Sequence, residues 1–218
     1  MTHRKHIAAV VSQVNLNGMQ LGYDFENRAL FLFGDIDAGT AYRFIAGFKW
    51  LDRTPGPIHI LLSSPGGGTD SGIAIYETIR TANNPTIVEG IGIVASAAVP
   101  VLLAGSVRFL NPSTRVMIHN ISFEIDGTLS TPEAKYISMS AEHFNEWYHG
   151  LIAERTGAKP KDIEKWCSGE TSFAAEEAVK LGFADKVLTA KPFPTSYAAA
   201  LKEIQGFIEK PKRRKAKK

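Results

Sequence analysis

Gly90-Ile-Gly-Ile-Val-Ala-Ser-Ala-Ala-Val-Pro-Val-Leu-Leu-Ala-Gly105 holds one reactive side chain, the hydroxyl of Ser96, in a surround of small and aliphatic residues. Upstream, Thr86-Ile-Val-Glu-Gly90 is a short β-branched run that reads as a strand. Downstream, Ala97 to Ala104 reads as a buried helix with Gly105 as its stop. Proline is tolerated only in a first helical turn, so Pro100 sets the helix entrance close to Ser96. Unpaired N–H groups at such an entrance stabilise negative charge, and a tight strand-to-helix turn is one way to present a nucleophilic serine. The same pattern also suits a small residue filling a crowded turn. The run from Gly90 to Val107 is uncharged over about 18 residues, the lower limit for a membrane span. Gly92, Pro100, Gly105 and the lack of a second such run favour a buried strand-turn-helix instead.

Working outward, apolar runs alternate with helical periodicity. Residues 29–33 and 58–62 predict strands. Between them, Ala41, Phe44, Ile45, Phe48 and Leu51 recur at helical spacing over 38–52. Ile73, Tyr76 and Ile79 mark a second helix that stops near Asn83-Asn-Pro85. This strand-helix alternation predicts an α/β fold of parallel βαβ units with helix-covered faces. Further strands are expected at 107–110 and 115–119, the second carrying His119 at its carboxyl end, where open α/β sheets bind ligands. Ser130-Thr-Pro-Glu133 is a capping box that opens a long aromatic helix, and Gly157 closes it. That helix suits packing against another subunit or against its own core. Short helices at 160–166 and 174–181, a strand at 183–188 and an amphipathic stretch at 195–208 complete the pattern.

Composition narrows the function classes. With 218 residues, 44% hydrophobic and 22% charged, the chain suits one globular domain with appendages. The basic N-terminus is followed by an apolar run of only Ile7 to Val11, too short for a signal-peptide core. The single cysteine, Cys167, precludes an intramolecular disulfide and fits a reducing, cytoplasmic compartment. Residues 210–218 hold seven basic residues and no acid, and removing them takes the net charge from +3 to −4. Basicity therefore belongs to a tail, and a nucleic-acid role is confined to it.

Ser64-Pro-Gly-Gly-Gly68 lies between a strand and a helix, where exposed N–H groups can cradle an oxyanion. It lacks the lysine of a P-loop and the spacing of a dinucleotide fingerprint. His143, Glu146 and His149 share the long helix at a spacing that matches no zinc motif, so they read as a solvated face. No metal or organic cofactor is expected.

Taken together, Ser64-Pro-Gly-Gly67, Ile73-Ala-Ile-Tyr76, Ala95-Ser96, Leu102-Leu-Ala-Gly105, Arg115-Val-Met-Ile-His119 and Glu177-Ala-Val resemble the ClpP family, the peptidase subunits of the Clp proteases. The resemblance runs from about Leu30 to Leu188 and implies the ClpP/crotonase fold of repeated ββα and βαβ units. It implies a serine endopeptidase that cleaves unfolded polypeptides through an acyl-enzyme, with Ser96 as nucleophile and His119 as general base. The N–H groups of Gly66 and Ala97 would form the oxyanion hole, with Gly67 shaping it, and the third triad member falls on Glu170. It also implies a homo-oligomeric ring, a hexameric ATP-driven unfoldase as partner, and no membrane association.

Three departures bear on these expectations. Glu170 stands where the family has aspartate; Asn120-Ile-Ser-Phe123 replaces a Gln-Pro and glycine-rich stretch; Val99-Pro100 is unusual. They look more like the divergent ClpP-like peptidases of phages and prophages. A crotonase-like acyl-CoA enzyme and a non-catalytic ring or scaffold subunit are the competing classes. The domain reading is an N-terminal segment at 1–28, the peptidase domain at 29–190, an amphipathic helix at 191–209 and a basic tail at 210–218.

Overall fold

Strands form where β-branched and aliphatic residues can pair laterally, and here they join into a single eight-stranded sheet. The computed structural model describes residues 18, 20–123 and 127–189. The strands are β1 (Tyr23–Asp24), β2 (Ala29–Phe33), β3 (Ile58–Ser64), β4 (Thr86–Ala95), β5 (Val107–Leu110), β6 (Arg115–Ile118), β7 (Thr171–Ala174) and β8 (Lys186–Val187). The helices are α1 (Ala38–Leu51), α2 (Thr69–Arg80), α3 (Ala98–Ala104), α4 (Thr131–Thr156), α5 (Pro160–Cys167) and α6 (Ala175–Lys180). All of them fall in one unit that ends at Leu188. The expectations for residues 1–17, 191–209 and 210–218 lie outside the described residues.

The strand order is β1-β2-β3-β4-β5-β8, with β6 branching from β4 and β7 pairing β6. The pairs from β2 to β5, together with β4–β6 and β5–β8, are parallel, as the βαβ pattern predicts. Among the described residues, only β1–β2 and β6–β7 are antiparallel. Alternation along β3 buries Ile58, Ile60, Leu62 and Ser64 and leaves His59, Leu61 and Ser63 half-buried. In the same core cluster lie Phe44, Phe48 and Leu51 of α1, Ile75 and Ile79 of α2, and Ala98, Val99, Val101, Leu102, Leu103 and Ala104 of α3.

Several elements differ in extent from the sequence reading. β4 runs on to Ala95, because its second half finds β6 as a new partner and lateral pairing outweighs the poor strand propensity of Gly90-Ile-Gly92. β6 stops at Ile118, so His119 is the first residue beyond the ladder. The strand expected at 183–188 contracts to β8. β1 and β7 were not anticipated, since both are too short to show a period.

Buried polar groups tie the loops at the amino ends of the central strands. Asp52, the C-cap of α1, is only 6% exposed. Its carboxylate accepts from the backbone and side-chain amides of Asn83 and Asn84 at 2.9–3.1 Å. Burial alone would raise the Asp52 pKa, but these four donor groups outweigh it, and the net shift is downward. A carboxyl depressed in the folded state stabilises fully above its unfolded pKa, near 4, and loses that contribution as pH falls through its folded value. Asp52→Ala is therefore expected to cost about 2–4 kcal/mol at neutral pH by urea unfolding, with the deficit shrinking in acid below about pH 4. A deficit independent of pH would assign the cost to packing instead.

Candidate active site

The carboxyl ends of β4 and β6 lie side by side, with Ala95 paired to Met117. The next residue, Ser96, donates its backbone N–H to the Met117 carbonyl at 2.9 Å and then turns sharply. Its φ is +52°, in the left-handed region that costs a non-glycine residue about 1 kcal/mol. The Val99 N–H donates to the Ser96 carbonyl at 2.9 Å and closes the turn onto α3. Pro100 then sits three residues past the Ala97 cap, where its missing N–H leaves no helical bond unmade.

This turn fits only because glycine lies against it. A Cβ on Gly66 would come within 2.7 Å of Ser96 Cβ and 2.8 Å of the Ala95 carbonyl, and its φ is +105°. The resemblance expects Gly66 to offer an N–H to the site. Gly66 is buried, and its N–H donates to Ser64 Oγ at 3.0 Å. The Gly66 carbonyl and the Gly68 N–H are also occupied, both by Ile36, at 2.8 and 2.7 Å. Gly67 between them is exposed, at φ +135°, and its N–H makes no hydrogen bond among the described residues.

One small pocket gathers Ser96, Ala97, Gly67, Thr69, His119 and Tyr148. A hydroxyl, an imidazole and two uncommitted N–H groups thus share one cavity, the equipment that acyl transfer requires. No hydrogen bond joins the Ser96 hydroxyl to the His119 ring within 3.5 Å. Glu170 does not line the pocket. It is exposed and accepts no bond from His119, yet the β6–β7 register pairs Ile118 with Thr171, so one step further sets Glu170 across from His119.

The sequence assigns no role at the site to Tyr148, Asn120, His149 or the Ser64 hydroxyl. Tyr148 was visible only as part of an aromatic stripe, while Asn120 sits in a stretch noted merely for departing from the family. His149 had been read as solvated; it is half-buried, and its Nε2 lies 2.8 Å from Asn120 Oδ1. His143 and Glu146 are exposed, and among the described residues no group of three His, Cys, Asp or Glu could hold a metal ion.

The family model for Clp protease matches residues 20–191. The chain belongs to the Clp protease family. The ATP-dependent Clp protease proteolytic subunit 1 of Protochlamydia amoebophila is 31% identical over 172 residues, covering 75% of this chain and 81% of the relative. Proteolytic subunit 2 of Thermobifida fusca is 32% identical over 170 residues, with coverages of 76% and 82%. A mutant ClpP1 structure from Listeria monocytogenes aligns with a TM-score of 0.66 and 29% identity, covering 77% of this chain and 94% of that one. The α/β sheet described above is therefore the ClpP fold, and the family is one of serine peptidases. No helix among the described residues is long and apolar enough to cross a membrane.

Cys167 lies near this site but is 1% exposed, and burial pushes its thiol pKa up to about 12. At neutral pH it carries on the order of a thousandfold less thiolate than a free cysteine. N-Ethylmaleimide at pH 7.5 is expected to leave Cys167 unmodified in the folded protein and to alkylate it in urea, as read by mass spectrometry. Rapid labelling of the native protein would contradict the assigned burial.

Proposed function

We propose that the protein is a serine endopeptidase acting on unfolded or loosely structured polypeptides. The observation that carries this reading is the single pocket shared by Ser96, His119, Gly67 and Ala97. In the proposed reaction Ser96 Oγ attacks the substrate carbonyl carbon as His119 takes the hydroxyl proton. The oxyanion accepts from the Gly67 and Ala97 N–H groups, each donor stabilising the transition state by about 3 kcal/mol. His119 then gives its proton to the leaving amine, the C–N bond breaks, and an acyl-enzyme remains. Water, deprotonated by His119, hydrolyses the ester and restores Ser96.

Glu170 is proposed as the acid that orients His119. The register supports it, and a carboxylate needs only to accept the histidine N–H. From the family we further propose a homo-oligomeric ring that receives substrate from an ATP-driven unfoldase, acting in the cytoplasm. The relatives' name, ATP-dependent Clp protease proteolytic subunit, supports that partnership. Kinship with the divergent phage and prophage branch rests on Asn120-Ile-Ser-Phe123 and Glu170.

Ser96→Ala deletes one oxygen and should abolish turnover of unstructured peptide while light scattering finds the assembly unchanged. Undiminished turnover by that variant would remove Ser96 from the chemistry. A wild type that is inert toward both peptide and fluorophosphonate would favour a scaffold subunit.

Glu170→Gln should slow acylation by roughly tenfold or more with little change in peptide binding. Burst kinetics on a fluorogenic ester measure it, and an acylation rate within twofold of wild type would move the acid elsewhere.

A further inference from the structure

The base and the nucleophile sit at the ends of two different strands, and the ladder between those strands stops short of both. The last paired residues are Ala95 and Met117. His119 lies beyond β6, where its own ring makes no hydrogen bond among the described residues. What fixes its position on the far side is the segment that follows. There, the Asn120 N–H donates to the Cys167 carbonyl of α5 at 2.9 Å, and the Ile121 N–H donates to Asn145 Oδ1 of α4 at 2.9 Å. Asn120 Oδ1 can only accept, so the 2.8 Å contact is a hydrogen bond donated by His149 Nε2–H.

The same turn of α4 reaches the nucleophile. Tyr148 is 2% exposed, lines the Ser96 pocket, and stacks on Phe144 at 5.8 Å between ring centroids. Its hydroxyl donates to the Ser96 carbonyl at 3.3 Å, a long bond. Asn145, Tyr148 and His149 therefore touch both halves of the site from one rigid element.

We propose that His149 is a positioning residue, which through Asn120 holds the His119 backbone at the distance from Ser96 that proton transfer needs. The proposal rests on reading Ser96 and His119 as nucleophile and base. A group within hydrogen-bond reach must be placed to a fraction of an ångström, and displacements near 1 Å can cost about a hundredfold in rate. Burial also lowers the His149 pKa, against an opposing pull from the Glu164 carboxylate. The Asn120 carbonyl requires the proton of His149 to be on Nε2. Sequence gave no reason to join these two residues, which are separated by 29 positions.

Four proteins test it: wild type, His149→Ala, His149→Gln and Asn120→Ala. The measurements are the rate of Ser96 labelling by a fluorophosphonate, kcat and KM on a fluorogenic peptide, and the thermal melting curve. The expected result is a roughly tenfold fall in labelling rate and kcat for His149→Ala and Asn120→Ala, with KM within twofold. Glutamine places an amide donor near the position of Nε2, so His149→Gln should recover most of the rate. If His149→Ala does not fold, Asn120→Ala, which removes the same bond from its other end, decides the matter. Labelling and kcat within twofold of wild type in the folded variants would overturn the positioning role, as would equal losses in the alanine and glutamine forms. Absence of Ser96 labelling in wild type would instead overturn the reading of the site itself.

Discussion

Strand β4 must satisfy two neighbours in succession along one edge, and the rest of the fold follows from how it does so. Residues 87–90 pair with β5, and residues 93–95 pair with β6, while β3 runs along the opposite edge. Between the partners of Leu62 and Ser64 the register slips, because β4 advances four residues while β3 advances two. Gly92 absorbs the slip at φ +68°. Gly90 keeps the fork closed, since a Cβ there would lie 2.7 Å from a Leu110 methyl. Its carbonyl accepts from the Asn111 N–H and the buried Thr114 hydroxyl, at 3.0 and 2.9 Å, which pins the β5–β6 turn at the branch. The bend sends the ends of β4 and β6 toward one place, and that place is the pocket.

Helix α3 is apolar throughout and fully enclosed, so its terminal backbone groups must find partners inside the protein. At its entrance the Ser96 carbonyl takes the Val99 N–H, while the Ala97 N–H faces the pocket. At its exit Arg155 of α4 donates to the Leu103 and Gly105 carbonyls at 2.8 and 3.1 Å. Arg108 of β5 donates in turn to the Arg155 and Gly182 carbonyls and pairs with Asp185 at 2.8 Å. The carboxyl half of α4 is thus fastened at both ends of α3. The amino half is not: Tyr136 and Met139 are 74% and 60% exposed, while burial is confined to Tyr148, Leu151 and Ile152. The aromatic stripe that looked uniform in the sequence therefore divides into a docked half and an open one. The capping box survives in the open half, where the Ser130 N–H and hydroxyl both donate to Glu133.

The sequence by itself determined the α/β class and the parallel βαβ pairing, and it singled out Ser96 and His119, which the fold brings to one pocket. It could do so because hydrophobic period, glycine placement and proline position are local properties, written within a few residues of where they act. It also located the ends of α4, through Ser130 and Gly157, whose φ of +76° is the left-handed cap expected of it. Tertiary structure alone decided how far β4 extends, that Gly67 and not Gly66 faces the pocket, and that His149 is bonded to Asn120 instead of solvated. Each of these depends on a partner distant in the chain: β6 for the end of β4, Ile36 for the loop at Gly67, and residue 120 for His149. Pattern reports which face of an element is apolar. Which donor meets which acceptor across the fold is settled only when the chain has closed on itself and water has been excluded between them.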